Sequence, residues 1–283
     1  MKFQLALIQM KVEGGQHEAN LGRAAGGISA AARKGASLAL LPEALDLGWT
    51  HPGARELAEP VPDGAPCKTL AQAAASHGIF VCAGLTERDE DQVYNTAVLL
   101  GPDGRLLGRH RKLNELDIGH GCYDPGDRLN VIRTELGSIG LMVCADGFAV
   151  GEVLSRSLGY MGADILLSPS AWAVPADHDP VRTPYGDTWR KCYQPVAKDF
   201  AMWIAGTSNV GVINGGQWKG RRCIGCSMVV GPDGQEVLQG PFGEDAEALL
   251  YVDIQTRPRP ARGCGWADHW GISEANPPSI RPS

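Results

Sequence analysis

An apolar run, Ser37-Leu38-Ala39-Leu40-Leu41, ends at Pro42-Glu43 and sets a carboxylate at the C-terminal end of a predicted strand. Open α/β sheets place their sites at such ends, and burial there raises a carboxyl pKa toward the range of a general base. Glu43 could equally open a loop or cap the next helix. A second segment, Gly108-Arg109-His110-Arg111-Lys112-Leu113, carries four consecutive cationic or titratable side chains. Alternation along a strand puts His110 and Lys112 on one face and Arg109 and Arg111 on the other, so a half-buried strand must turn one pair inward. A lysine held near a carboxylate stays protonated and can stabilise an oxyanion; the plainer alternative is a solvated basic edge strand. The third segment, Ile139-Gly140-Leu141-Met142-Val143-Cys144-Ala145-Asp146, reads as a buried strand ending in a thiol, ahead of a helix from about residue 152. That environment favours thiolate, although a cysteine in an apolar run is also an ordinary core residue.

The elements that must position these groups follow from hydrophobic patterning. Strands are predicted at 3–10, 37–41, 79–85, 164–167 and 202–208, and helices at 20–34, 69–77, 152–160 and 188–199. Three hairpins are predicted: 94–100 with 105–111, 129–135 with 139–144, and 226–230 with 235–239. The turn Gly101-Pro102-Asp103-Gly104 recurs as Gly231-Pro232-Asp233-Gly234, hinting at two similar halves. Strand and helix alternate in the manner of an α/β layered fold.

In order along the chain, Pro42-Glu43, Arg111-Lys112 and Cys144-Ala145-Asp146 resemble the nitrilase, or carbon–nitrogen hydrolase, superfamily. The resemblance continues through the runs 162–172 and 197–206, Ser208-Asn209-Val210-Gly211 and the run 225–234, spanning residues 3 to about 254. It implies an α-β-β-α sandwich, with two subunits pairing into a four-layer α-β-β-α-α-β-β-α homodimer or a higher homo-oligomer. It also implies that Glu43 is the general base, Cys144 the nucleophile, and Lys112 the cation that holds a tetrahedral oxyanion together with the backbone N–H of Ala145. No metal or organic cofactor is then needed. Family members usually carry a second glutamate a few residues before a Pro-Gly pair. Here the stretch 117–124 before Pro125-Gly126 includes none, which leaves Glu115, three residues after Lys112, as the preferred substitute and Asp117 and His120 as rivals. Nitrile hydrolysers of the family tend to follow the cysteine with Trp-Glu; Cys144-Ala145-Asp146 looks more like the amide-cleaving branches. The resemblance therefore implies cleavage of a small carboxamide or carbamoyl compound through a cysteine thioester. A nitrilase, an acyl transferase and a non-catalytic binding member remain as alternatives.

Composition limits the partners. Among 283 residues, Lys+Arg 26 against Asp+Glu 32 leaves a net charge of −6, which argues against general attraction to nucleic acid. No apolar run approaches the roughly 20 residues of a membrane helix, and the start reads as a first strand without a leader's cleavage site. The 8 cysteines are few for this length and several sit in apolar runs, as expected of reduced thiols in a cytoplasmic protein. Cys223-Ile224-Gly225-Cys226 has no second pair to complete a zinc site. The polar, aromatic stretch 172–185 makes Trp172, His178, Arg182 and Tyr185 candidates for the substrate pocket, with His120 and Asn209. Residues 1–256 are expected to form the hydrolase domain, and 257–283 an extension packed on the surface or on a partner subunit.

Overall fold

Alternation in the first strand, Lys2–Gln9, generates the layers. Phe3, Leu5 and Leu7 join one buried cluster, while Ala6 and Ile8 join another on the opposite face. The next strand, Leu38–Leu40, divides the same way: Leu38 and Leu40 point to the first cluster and Ala39 to the second. Each such leucine, fully removed from water, contributes roughly 2 kcal/mol of transfer free energy. A one-residue slip would exchange the faces, so the register is fixed by this burial.

The computed structural model describes residues 1–256; the expected C-terminal extension lies outside the described residues. One sheet has the order Ala248–Gln255, Lys2–Gln9, Leu38–Leu40, Phe80–Asp89, Gln92–Leu100, Leu106–Arg111, with Glu59–Pro60 paired to Phe80–Asp89. The other runs Glu236–Gln239, Met228–Val230, Trp203–Ser208, Ile165–Ser170, Gly137–Leu141, Val131–Thr134. Helices His17–Arg33 and Ala65–His77 cover the outer face of the first sheet through Ala24, Ile28, Leu70 and Ala74. Helices Val153–Met161 and Asp187–Phe200 pack on the second through Leu158, Tyr193 and Val196. This is the expected α-β-β-α sandwich. No described helix is long and apolar enough to cross a membrane.

The two halves are built alike. In each sheet three parallel strands are followed by an antiparallel pair, and the repeated Gly-Pro-Asp-Gly forms the turn of that pair. Gly104 and Gly234 both have φ of +79°. In both turns the last glycine's N–H donates to the first glycine's carbonyl at 2.9 Å. A Cβ on Gly104 would lie 2.7 Å from the Ala71 carbonyl oxygen, and one on Gly234 2.9 Å from that of Gln194. Both turns therefore need glycine for their backbone conformation and for their close seat on a helix.

Candidate active site

Glu43 follows the parallel strand Leu38–Leu40, and its loop lies flat against the neighbouring strand. Gly84 permits this: a Cβ there would fall 2.5 Å from the Glu43 Cα. Lys112 directly follows Leu106–Arg111, whose alternation turns His110 and Lys112 into the protein. On the opposite face Arg109 and Arg111 pair with the buried carboxylate of Glu87 at 2.5 and 2.7 Å. Neither side of this strand is a solvated basic edge.

The ammonium of Lys112 donates to Glu43 Oε1 and to Glu115 Oε1, both at 2.8 Å. The amide of Asn95 bridges the same carboxylates, donating to Glu43 Oε1 at 2.5 Å and Glu115 Oε2 at 3.0 Å. Two donors and two acceptors thus close a buried ring. Glu43 Oε2 is also buried and takes no hydrogen bond among the described residues. Trp49 lies against Lys112, its ring centroid 5.4 Å from Nζ.

Cys144 sits where strand Gly137–Leu141 gives way to a short helical turn, Cys144–Phe148. Its φ of +43° is a conformation that L-residues avoid at a cost of about 1–3 kcal/mol. Surrounding bonds impose it. The Cys144 N–H donates to Ser168 Oγ at 3.1 Å, and the Ala171 N–H donates to the sulfur. The Glu43 N–H donates to the Ser170 carbonyl at 3.3 Å, which brings the carboxylate loop to the same stretch of chain. Asp146 makes a second tie. Its buried carboxylate accepts from the Val143 N–H at 2.8 Å, from the Leu113 and Asn114 N–H groups at 3.1 and 2.8 Å, and pairs with His110 Nε2 at 2.8 Å. The cysteine turn and the lysine loop are held by one side chain.

Electrostatics follow from this geometry. Burial alone would discharge Lys112, but Glu43 and Glu115 beside it hold it protonated, above the ordinary lysine range. Burial raises the Glu43 carboxyl, and the charge of Glu115 adds to this while Lys112 and Asn95 oppose it; the net shift is upward. Burial, then the charge of Glu43, push the Cys144 thiol well above its ordinary range, with Lys112 and the Ala171 N–H offsetting only part. The expectation of a site favouring thiolate is therefore corrected: two carboxylates face one ammonium, and a further buried negative charge is disfavoured.

Of the other residues singled out by sequence, Trp172 and Tyr185 join one aromatic group, their ring centroids 6.0 Å apart. Trp172 follows Ala171 and stacks on Trp189 at 4.4 Å, and Tyr185 accepts the Trp189 indole N–H at 2.8 Å. Asn209 is buried behind Trp49 at a small cavity that Cys223 also lines. His178 stacks on Phe242, their centroids 5.9 Å apart. Arg182 is exposed and pairs with Asp179, and Asp117 and His120 are exposed, so the structure does not bring Arg182 or His120 to the ring around Lys112. Sequence reasoning passed over Asn95, Trp49 and the bridging part played by Asp146. The signals were present: an asparagine within an apolar strand, and a carboxylate two residues past the cysteine.

The chain matches the family model described as carbon-nitrogen hydrolase over residues 4–262. It is 27% identical over 256 residues to a protein named nitrilase from Pyrococcus abyssi, covering 89% of this chain and 90% of that one. It is 32% identical over 271 residues to omega-amidase NIT2 of Mus musculus, covering 90% and 89%. The NIT2 proteins of Xenopus tropicalis and Bos taurus are matched over 64% of their length. Among solved structures, a carbon-nitrogen hydrolase from Helicobacter pylori G27 superposes with a TM-score of 0.79 at 23% identity, covering 90% of each chain. The chain belongs to the carbon-nitrogen hydrolase family.

Proposed function

We propose that this protein is an amidase that cleaves the C–N bond of a small carboxamide through a thioester on Cys144. The observation that carries the reading is the buried ring of Glu43, Lys112, Glu115 and Asn95, with one Glu43 oxygen free of hydrogen bonds among the described residues and Cys144 held at a strained φ. Cys144 attacks the amide carbon, and as the C–S bond forms its proton passes to Glu43. The carbonyl oxygen takes the negative charge, held by the Lys112 ammonium and the Ala145 N–H. Glu43 returns the proton to the departing nitrogen, ammonia leaves, and a thioester remains. Water, deprotonated by Glu43, attacks the thioester; the acid is released and the thiol is restored. Glu115 keeps Lys112 aimed at the reacting oxygen.

The test is ammonia release from a panel of small carboxamides and their matching nitriles, with hydroxylamine added to trap the acyl-enzyme as a hydroxamate. Turnover of amides that vanishes in Cys144→Ala supports the reading. The Pyrococcus relative's name favours a nitrilase as the second reading, and acid formed from nitriles but not from amides would establish it instead.

A further inference from the structure

Next to the ring lies a cavity of about 520 Å³, a size that suits a small organic ligand. Glu115 connects the two, because it lines the cavity while its carboxylate receives Lys112. Leu116, Ile118, Phe148 and Trp218 supply apolar wall, and Asp117 adds a second carboxylate. Phe148 is the last residue of the turn that begins at Cys144, and it packs on Trp189, 5.4 Å between centroids. Trp218 meets Trp49 edge-on at 5.3 Å, and Trp49 lies against Lys112. Among the described residues, no lysine, arginine or histidine lines this cavity. Arg221 stacks on Trp218 at 3.8 Å without joining the lining.

We infer that this cavity receives the part of an amide substrate remote from the scissile bond, and that it selects an apolar, uncharged or cationic group over a carboxylate. The inference rests on the amidase reading and names its substrate class. Two carboxylates, Glu115 and Asp117, line the cavity, and the ammonium of Lys112 that meets Glu115 is already shared with Glu43. A substrate carboxylate entering here would meet Glu115 and Asp117 and no cation among the lining residues, Arg221 lying behind the Trp218 ring, while an alkyl chain would cover the indole of Trp218.

The experiment compares three amides of matched length: pentanamide, its ω-amino analogue and its ω-carboxylate analogue. At low salt kcat/KM for the anion is expected to be about tenfold below that for the neutral amide, with the gap narrowing as salt is added. Asp117→Asn should narrow the anion-to-neutral gap by roughly threefold and reduce any advantage of the cation. Trp218→Ala should raise KM for pentanamide several-fold more than it changes kcat. A preference for the anion, or an anion-to-neutral ratio identical in wild type and Asp117→Asn at low salt, would overturn the inference while leaving the amidase reading standing. Ammonia from none of the three, with folded protein, would overturn both.

Discussion

Glu115→Gln exchanges one of the two carboxylates on Lys112 for a neutral amide of nearly equal shape. Both carboxylates place an oxygen 2.8 Å from the same nitrogen, so they lie within about 6 Å of each other. Unit charges at that distance interact by roughly 3 kcal/mol at an effective dielectric constant near 20, equivalent to about 2 pH units. The ammonium between them offsets part of this, leaving an expected effect of about 1–2 units. The sign is set by the site: the charge of Glu115 raises the Glu43 carboxyl, so removing it lowers that pKa. Because the proposed mechanism needs Glu43 ionised to accept the thiol proton, the acid limb of kcat/KM should move to lower pH. The plateau should fall as well. Asn95 donates to both carboxylates, and against a glutamine amide it must either face another donor or rotate and release Glu43. The assay is ammonia release across the acidic and neutral range, with the circular dichroism and Tm of the variant matched to wild type. An acid limb that stays in place or moves upward in a folded variant would refute the coupling of Glu115 to the base.

Burial pushes the carboxyl of Asp46 from its ordinary 3.8 to about 6, against hydrogen bonds from Thr86 that pull it down. The fold thus favours the protonated form, and up to about 3 kcal/mol of stability, complete below about pH 4, is lost as pH rises through about 6. Asp46→Asn should flatten that loss in a Tm-versus-pH series, and an unchanged slope would contradict it. Asp146→Asn removes a buried charge and sets an amide donor against donors, with an expected cost of about 3–5 kcal/mol; a Tm equal to wild type would exclude the bridging part given to Asp146. Gly84→Ala drives a Cβ into the Glu43 backbone at 2.5 Å, so kcat should drop on the order of ten- to hundredfold, and full activity would show that the Glu43 loop has room to shift.

Most of the fold was legible because its signals are local. Period-two alternation in 2–9, the glycine that ends helix Ala65–His77 and the two Gly-Pro-Asp-Gly turns are each readable within a few residues. Alternation also put His110 and Lys112 on one face, although it left open which pair turns inward. What was not legible depends on distant pieces of chain meeting. Asn95 gains its place because its strand pairs with Leu106–Arg111, setting the Lys112 N–H on the Asn95 carbonyl at 2.9 Å. The environment of Cys144 was misjudged for the same reason: a nearby lysine predicts thiolate, but burial of the sulfur, and then the carboxylates contributed by segments 101 and 29 residues away in sequence, reverse the balance.

That reversal fits the proposed chemistry better than a preformed thiolate would. With a thiol at rest, the ring carries two carboxylates and one ammonium. When Cys144 attacks and its proton passes to Glu43, one negative charge disappears from Glu43 and one appears on the substrate oxygen, so the net charge of the buried site is unchanged. The ammonium that stabilised Glu43 is then available to the oxyanion without either being newly desolvated. A resting thiolate would instead add a second net negative charge in the same low-dielectric space, where each unpaired ion costs several kcal/mol. On this argument Glu43 and Lys112 function as one unit, the first by moving the proton and the second by holding whichever oxygen carries the negative charge. Asp146, His110 and Asn95 matter because the exchange works only if both oxygens fall within reach of one nitrogen.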